Sequence, residues 1–132
     1  YENSLGVLTV TPGLVEKITK RAPATRNVEL LINGFDKELF RPSSEKYEKF
    51  TVIFHGNMGK IQNLDTILKV AQELTNHSDI EFVFIGEGPQ AELLKSSSLP
   101  NVKYLGPKNY EEIPKLISRA HVGISCRRDD DI

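Results

Sequence analysis

The sequence holds one cysteine, one methionine and three histidines in 132 residues, and its 17 Lys plus Arg against 18 Asp plus Glu leave a net charge of −1. With Cys126 alone, the chain can form no internal disulfide and no multi-cysteine zinc site. A single thiol is compatible with a reducing compartment. Near-zero net charge does not suit a protein whose main task is neutralising nucleic-acid phosphates, so no nucleic-acid partner is expected. No apolar run approaches the ~20 residues that span a bilayer, and no signal-peptide pattern is visible. The full Gly-x-Gly-x-x-Gly fingerprint is missing, since Gly86-Glu87-Gly88 supplies only its first half, and there is no Walker phosphate loop. A hydride-transfer enzyme is therefore disfavoured. Solenoid repeats and low-complexity tracts are absent too.

What is present is the balance of an ordinary globular domain, 39% hydrophobic and 27% charged. Such a chain buries about two thirds of its unfolded surface, enough for a core without staples. It starts at Tyr1 and its only methionine is Met58, so it is expected to be a piece of a longer protein, cut at both ends.

The apolar pattern alternates between strand and helix. Gly6 to Val10 reads as a strand. Thr11 and Pro12 then suit a helix cap and first turn, and Leu14, Ile18 and Ala22 recur at helical spacing up to Pro23. Val28 to Ile32 reads as a buried strand ending at the turn pair Asn33-Gly34. Asp36 to Lys49, with Pro42 and Ser43-Ser44, reads as a loop. Strands follow at Phe50–Phe54, Ile80–Ile85, Val102–Leu105 and Ala120–Ser125. Helices fall between them: one with Leu64, Ile67, Leu68, Ala71 and Leu74 on a single face, one over Gln90–Lys95, and one over Tyr110–Arg119. This alternation predicts an α/β fold, a Rossmann-like parallel sheet with helices on both faces.

Three successive strands run into glycine-bearing loops, at Gly56, Gly86 and Gly106. Ligands of open α/β sheets bind at the carboxyl ends of strands, so these loops predict a ligand edge. Glycine lets a ligand approach the backbone closely, and free amides at a following helix N-terminus favour an anion. Lys60 and Asn57 add a cation and a neutral donor there. Short strand-to-helix turns also take glycine for purely structural reasons. His55, at a strand end next to Gly56, could face the ligand edge, with a packed or solvated side chain the favoured reading; His77 reads as an exposed turn residue and His121 as structural, and the three are too scattered for a metal site. Glu111 and Glu112 suit the first turn of a helix. Cys126 reads as an inert thiol, and Arg127-Arg128 with Asp129 to Asp131 as a solvated, frayed end.

Several of these motifs, taken in order, resemble one family. Thr9-Val10-Thr11-Pro12-Gly13 and Leu31-Ile32-Asn33-Gly34-Phe35-Asp36, with Phe40 and Pro42, resemble the crossover of family 4 retaining glycosyltransferases, the glycosyl transferases group 1 family. Phe54-His55-Gly56-Asn57-Met58-Gly59, followed by Gln62-Asn63-Leu64-Asp65, is similar to the opening of their C-terminal domain. Phe82 to Pro89 resembles that domain's Gly-x-Gly-Pro loop, and 102–106 and 120–125 its next two strands. The Gly-Asn-Met-Gly variant resembles bacterial members that build capsule, O-antigen (lipopolysaccharide) or other surface polysaccharide.

The resemblance implies a GT-B fold, with a nucleotide-sugar donor, UDP- or GDP-linked, between two Rossmann-like domains. It implies a glycan or lipid-linked acceptor, a cytoplasmic location, and peripheral association of the full-length protein with the inner face of the membrane. No cofactor is implied, the nucleotide sugar being substrate. Residues 1–34 would be the tail of the N-terminal domain with the crossover strand, 35–49 a linker loop, and 50–132 a nucleotide-sugar-binding domain truncated at its C-terminus. Gly56, Asn57, Gly59 and Lys60 would approach the donor diphosphate. Glu87 and Gly88 would sit near the cleft. Pro107, Lys108 and Asn109 would lie by the base, largely through backbone.

Two departures stand out. Many members carry an Arg where this chain has Asn57 and a Lys where it has Gln62. The family's paired glutamates would follow the strand at 120–125, beyond the last residue. No catalytic residue is assigned, and the piece alone is expected to be inactive. A sugar-nucleotide 2-epimerase of the same architecture is the rival enzyme, but it would carry acidic and histidine groups in the cleft that this piece does not show. A non-catalytic α/β module is the rival of another class. A receiver of that kind needs clustered aspartates at its first strand end, and only Asp65, on a helix, lies near Gly56.

Overall fold

The computed structural model describes residues 3–128, so the acidic run expected to fray at Asp129–Asp131 lies outside the described residues. The chain divides into two compact units between Asp36 and Lys37.

In the first unit, β1 (Val7–Thr9) and β2 (Val28–Leu30) pair in parallel around α1 (Pro12–Arg21). Thr11 caps α1, its side chain accepting from the Leu14 N–H at 3.3 Å, and Pro12 begins the helix where its missing N–H costs nothing. Lys20 and Arg21 close the last turn, where cations suit the helix dipole. The buried strand expected at Val28–Ile32 is corrected. It is shorter, and Leu30, Leu31 and Ile32 are exposed. Among the described residues, the two-stranded sheet has no further strand beside β2 to cover them.

The second unit is a four-stranded, wholly parallel sheet in the order β5-β4-β3-β6. Its strands are β3 (Phe50–Asn57), β4 (Ile80–Glu87), β5 (Val102–Tyr104) and β6 (Val122–Gly123). Phe82 to Ile85 of β4 are buried, as a central parallel strand requires. One face carries α2 (Leu64–Glu73) and α3 (Ala91–Lys95). Leu64, Ile67 and Ala71 of α2 pack with Ala91 and Leu94 of α3 against Phe54, Phe82, Phe84 and Met58. Each buried Leu or Ile contributes roughly 1.5–3 kcal/mol. The other face carries Ile53, Val83 and Ile85 under Leu116 and Ile117 of α4 (Ile113–Ser118). Helices on both faces of a parallel sheet make the expected α/β fold.

Most boundaries shift by one or two residues, β4 running on through Glu87, and three shifts are larger or bear on the site. The strand at Phe50–Phe54 runs on through Asn57, so Gly56 and Asn57 are paired strand residues. The helix expected from Tyr110 starts at Ile113, because Pro114 lacks an N–H and belongs in a first turn; Glu111 and Glu112 thus precede it. The last strand is two residues long, since β6 lies at the sheet edge with β3 as its one partner.

A polar network sits at the amino end of the sheet. Glu81 is buried and accepts from the Thr51 hydroxyl at 3.0 Å and from Lys103 Nζ at 2.6 Å. His121 Nδ1 accepts from the Thr51 N–H at 3.1 Å, and its ring stacks on Phe50. Among the described residues no helix is long and apolar enough to cross a membrane.

Candidate functional site

The chain runs outward from β3 through β4 to β5, then returns past β3 to β6. The switch in strand order therefore lies between β3 and β6, where open α/β sheets place ligands at the carboxyl edge.

Beside that switch, the carboxyl ends of β3, β4 and β5 carry glycines in a row. Gly56 and Gly86 are register partners, and the Gly86 N–H donates to the Gly106 carbonyl at 3.0 Å. Gly86 has φ +133°, and a Cβ there would come 1.9 Å from the Gly56 carbonyl oxygen. Only glycine lets β3 and β4 approach so closely. Gly56 has φ +131°, but the space beside it is open. The demand at Gly86 is thus packing between strands, while Gly56 presents bare backbone to solvent.

The turns beyond are tied down. The Met58 N–H donates to the Glu87 carbonyl at 2.7 Å and the Gln90 N–H to the Met58 carbonyl at 2.9 Å, while the Met58 side chain is wholly buried. Tyr104 Oη donates to the Gly86 carbonyl at 2.9 Å. Gly88 fits against Met58, whose carbonyl oxygen a Cβ would meet at 2.7 Å. The edge is therefore held in place before any ligand arrives.

A cavity of about 360 Å³ opens on this row, lined by His55, Gly56, Asn57, Ile85, Gly86, Glu87, Pro107, Lys108 and Ile113. It lies in the size range of small-molecule sites. A larger cavity of about 630 Å³ lies on the β6 side, lined among others by Phe40, Arg41, Ile53, Ile117 and Ile124. The smaller one has the polar groups an anionic ligand needs.

Of the residues singled out from sequence, Gly56, Asn57, Glu87, Pro107 and Lys108 line this cavity together. Gly59, Lys60, Gly88 and Asn109 are not among its lining residues. Lys60 opens a 3₁₀ turn, Lys60–Gln62, that separates the glycine edge from α2, and Gly59 precedes that turn. The free amides expected at a helix directly after Gly59 are therefore those of the short turn; α2 begins only at Leu64. Asn109 is engaged by its own loop, its N–H donating to Glu112 Oε2 at 3.1 Å and its carbonyl accepting from the Glu112 N–H at 3.0 Å.

His55, for which the sequence favours a packed or solvated side chain over the ligand edge, lines the cavity, as do Ile85 and Ile113, which the sequence does not single out as contacts. Strand alternation carries the signal for His55, since it shares a face with Ile53; nothing in the sequence marks Ile113. Displaced pKa values often mark functional sites, yet here they belong to the opposite end of the sheet. Burial pushes the Glu81 carboxyl up, but the Lys103 and Thr51 hydrogen bonds and the charges of Lys103 and Lys49 outweigh it and hold it below its ordinary value. Burial raises the Tyr47 phenol, against Arg119 and Lys103 and with Glu81. Among the described residues, no group of three or more His, Cys, Asp or Glu side chains is placed to hold a metal ion.

The glycosyl transferases group 1 profile matches residues 35–129. No curated protein sequence matches the chain. Among solved structures, an S. aureus TarM mutant in complex with fondaparinux, alpha-GlcNAc-glycerol and UDP is similar, with a TM-score of 0.74 and 17% identity over 91% of this chain and 24% of that one. The pneumococcal O-GlcNAc transferase GtfA in complex with UDP and GlcNAc gives a TM-score of 0.75 and 14% identity over 91% and 25%. The lipopolysaccharide outer core galactosyltransferase WaaB in its apo form gives 0.58 and 15% over 89% and 35%. The chain thus spans about a quarter of the length of the first two, and it shares the fold of GT-B glycosyltransferases.

Proposed function

The chain belongs to the glycosyl transferases group 1 family, and on that premise we propose that it is the donor-binding part of a retaining, family 4 glycosyltransferase. The whole protein would move a sugar from a UDP- or GDP-linked donor to a glycan or lipid-linked acceptor in bacterial surface polysaccharide synthesis. Residues 1–34 would be the end of the acceptor-side domain with its crossover strand, 35–49 the linker, and 50–132 the donor domain. A lipid-linked acceptor would bring the enzyme to the inner face of the membrane. The nucleotide sugar is substrate, and no separate cofactor is needed.

The observation that carries this reading is the 360 Å³ cavity, in which bare glycine backbone, Asn57 and Lys108 converge at the carboxyl edge of the sheet. Transfer leaves negative charge on the departing nucleoside diphosphate, and preorganised donors aimed at that charge lower the barrier. Asn57 brings a side-chain donor and Lys108 a cation, while the bare backbone at Gly56 leaves room for the ligand to approach. Glu87, across the cavity, suits ribose or sugar hydroxyls rather than phosphate. UDP in the TarM and GtfA structures agrees with a nucleotide at this fold.

Calorimetric titration of the chain with UDP, GDP and ATP tests the reading. Saturable binding of UDP or GDP, with ATP weaker, is expected. Equal binding of all three, or of none, contradicts a nucleotide-sugar site.

A further inference from the structure

We infer that His55 is a donor-contacting residue, its imidazole hydrogen-bonding the diphosphate of the bound nucleotide; this rests on the donor-site reading above. His55 lies near the carboxyl end of β3, the strand paired with both β4 and β6. Alternation puts it on the same face as Ile53, which is buried beneath α4. Two residues further on, His55 is exposed. Among the described residues it alone lines both cavities, so it stands at the boundary between the smaller and the larger one.

The ring is also uncommitted. His121 is held by the Thr51 N–H and by stacking on Phe50, whereas the His55 ring makes no hydrogen bond or ion pair with a described residue. The chain neighbour Gly56 offers no side chain, so His55 joins Asn57 as a side chain at this strand end that lines the cavity on the glycine row. The charge balance points the same way. Lys108 and Glu87 offset each other in the smaller cavity. Arg41, in the larger one, is already paired with Glu38. An anionic ligand therefore finds no net positive charge in this cavity, and the imidazole N–H supplies a further hydrogen-bond donor to it.

The test compares wild type, His55→Gln and His55→Phe in the 132-residue chain, each titrated with UDP and GDP and with uridine and guanosine. The expected result is at least a fivefold loss of diphosphate affinity in His55→Phe, partial retention in His55→Gln, which keeps an N–H donor, and less than a twofold change for the nucleosides. In wild type, the His55 ring protons should shift on adding the diphosphate, while those of His77 and His121 stay in place. If wild type binds a diphosphate but the variants bind it equally well and the ring does not respond, the His55 role is overturned and the donor site stands. If wild type binds neither diphosphate, the donor-site reading falls and His55 with it.

Discussion

Gly56 and Gly86 face each other in register at the carboxyl ends of β3 and β4, so close that a methyl group on Gly86 would overlap the Gly56 carbonyl. The same pair separates two roles of glycine. Gly86→Ala forces backbone apart and adopts a strained φ, and should destabilise the chain by roughly 2–5 kcal/mol. Gly56→Ala meets open space and carries only the φ strain, about 1–3 kcal/mol, while its methyl group intrudes on the ligand edge. Urea unfolding and UDP titration of both variants should therefore rank them oppositely, Gly86→Ala worse in stability and Gly56→Ala worse in binding per unit of stability lost.

Met58 anchors the edge from below. Its side chain is fully buried against the α2 face while its backbone bonds to the turn after β4. Met58→Ala should cost about 2–5 kcal/mol from the cavity it leaves. It should also loosen the loop that carries Asn57. Hydrogen exchange at the amides of 56–60 should accelerate more than at β4.

Glu81 gives the chain a pH dependence away from the site. Its folded carboxyl lies below its ordinary value, so its contribution is present above the unfolded value of about 4.3 and is lost as pH falls through the depressed folded value. The urea midpoint should drop between pH 5 and pH 3, and Glu81→Gln should be less stable near neutrality with a shallower fall.

Cation placement can be checked by charge reversal. Lys108 lines the cavity, whereas Lys60 sits outside it on the 3₁₀ turn. Lys108→Glu should weaken UDP or GDP binding roughly tenfold, the size of one close partly solvated charge contact. Lys60→Glu should weaken it less than about threefold by the same reasoning. An equal loss in both would put the phosphates further out, toward Gly59.

Much of the fold is legible in the sequence because parallel α/β units advertise themselves. The buried run Phe82–Ile85 and the spaced Leu64, Ile67 and Ala71 leave few alternatives. Boundaries are less legible, since they depend on partners. Gly56 and Asn57 look like loop residues until β4 is seen to extend alongside them. Pro114 shortens α4 for a reason that is local and was available. Val28 to Ile32 has the pattern of a buried strand, yet burial depends on neighbours that the pattern does not name. At the site, glycines mark the edge but not which of them serve packing; Gly88 proves to fit against Met58 rather than line the cavity. His55 is hard to read because one histidine at a strand end carries meaning only once two cavities are seen to share it.

The account stands or falls on where a nucleoside diphosphate touches the chain. Backbone amide spectra recorded during titration with UDP and with GDP report this residue by residue. The predicted result is a cluster of shifts at His55, Gly56, Asn57, Gly86, Glu87 and Lys108, with Thr51, Glu81 and His121 at the opposite end of the sheet unmoved. Shifts concentrated at that opposite end, or none with either nucleotide, would contradict it.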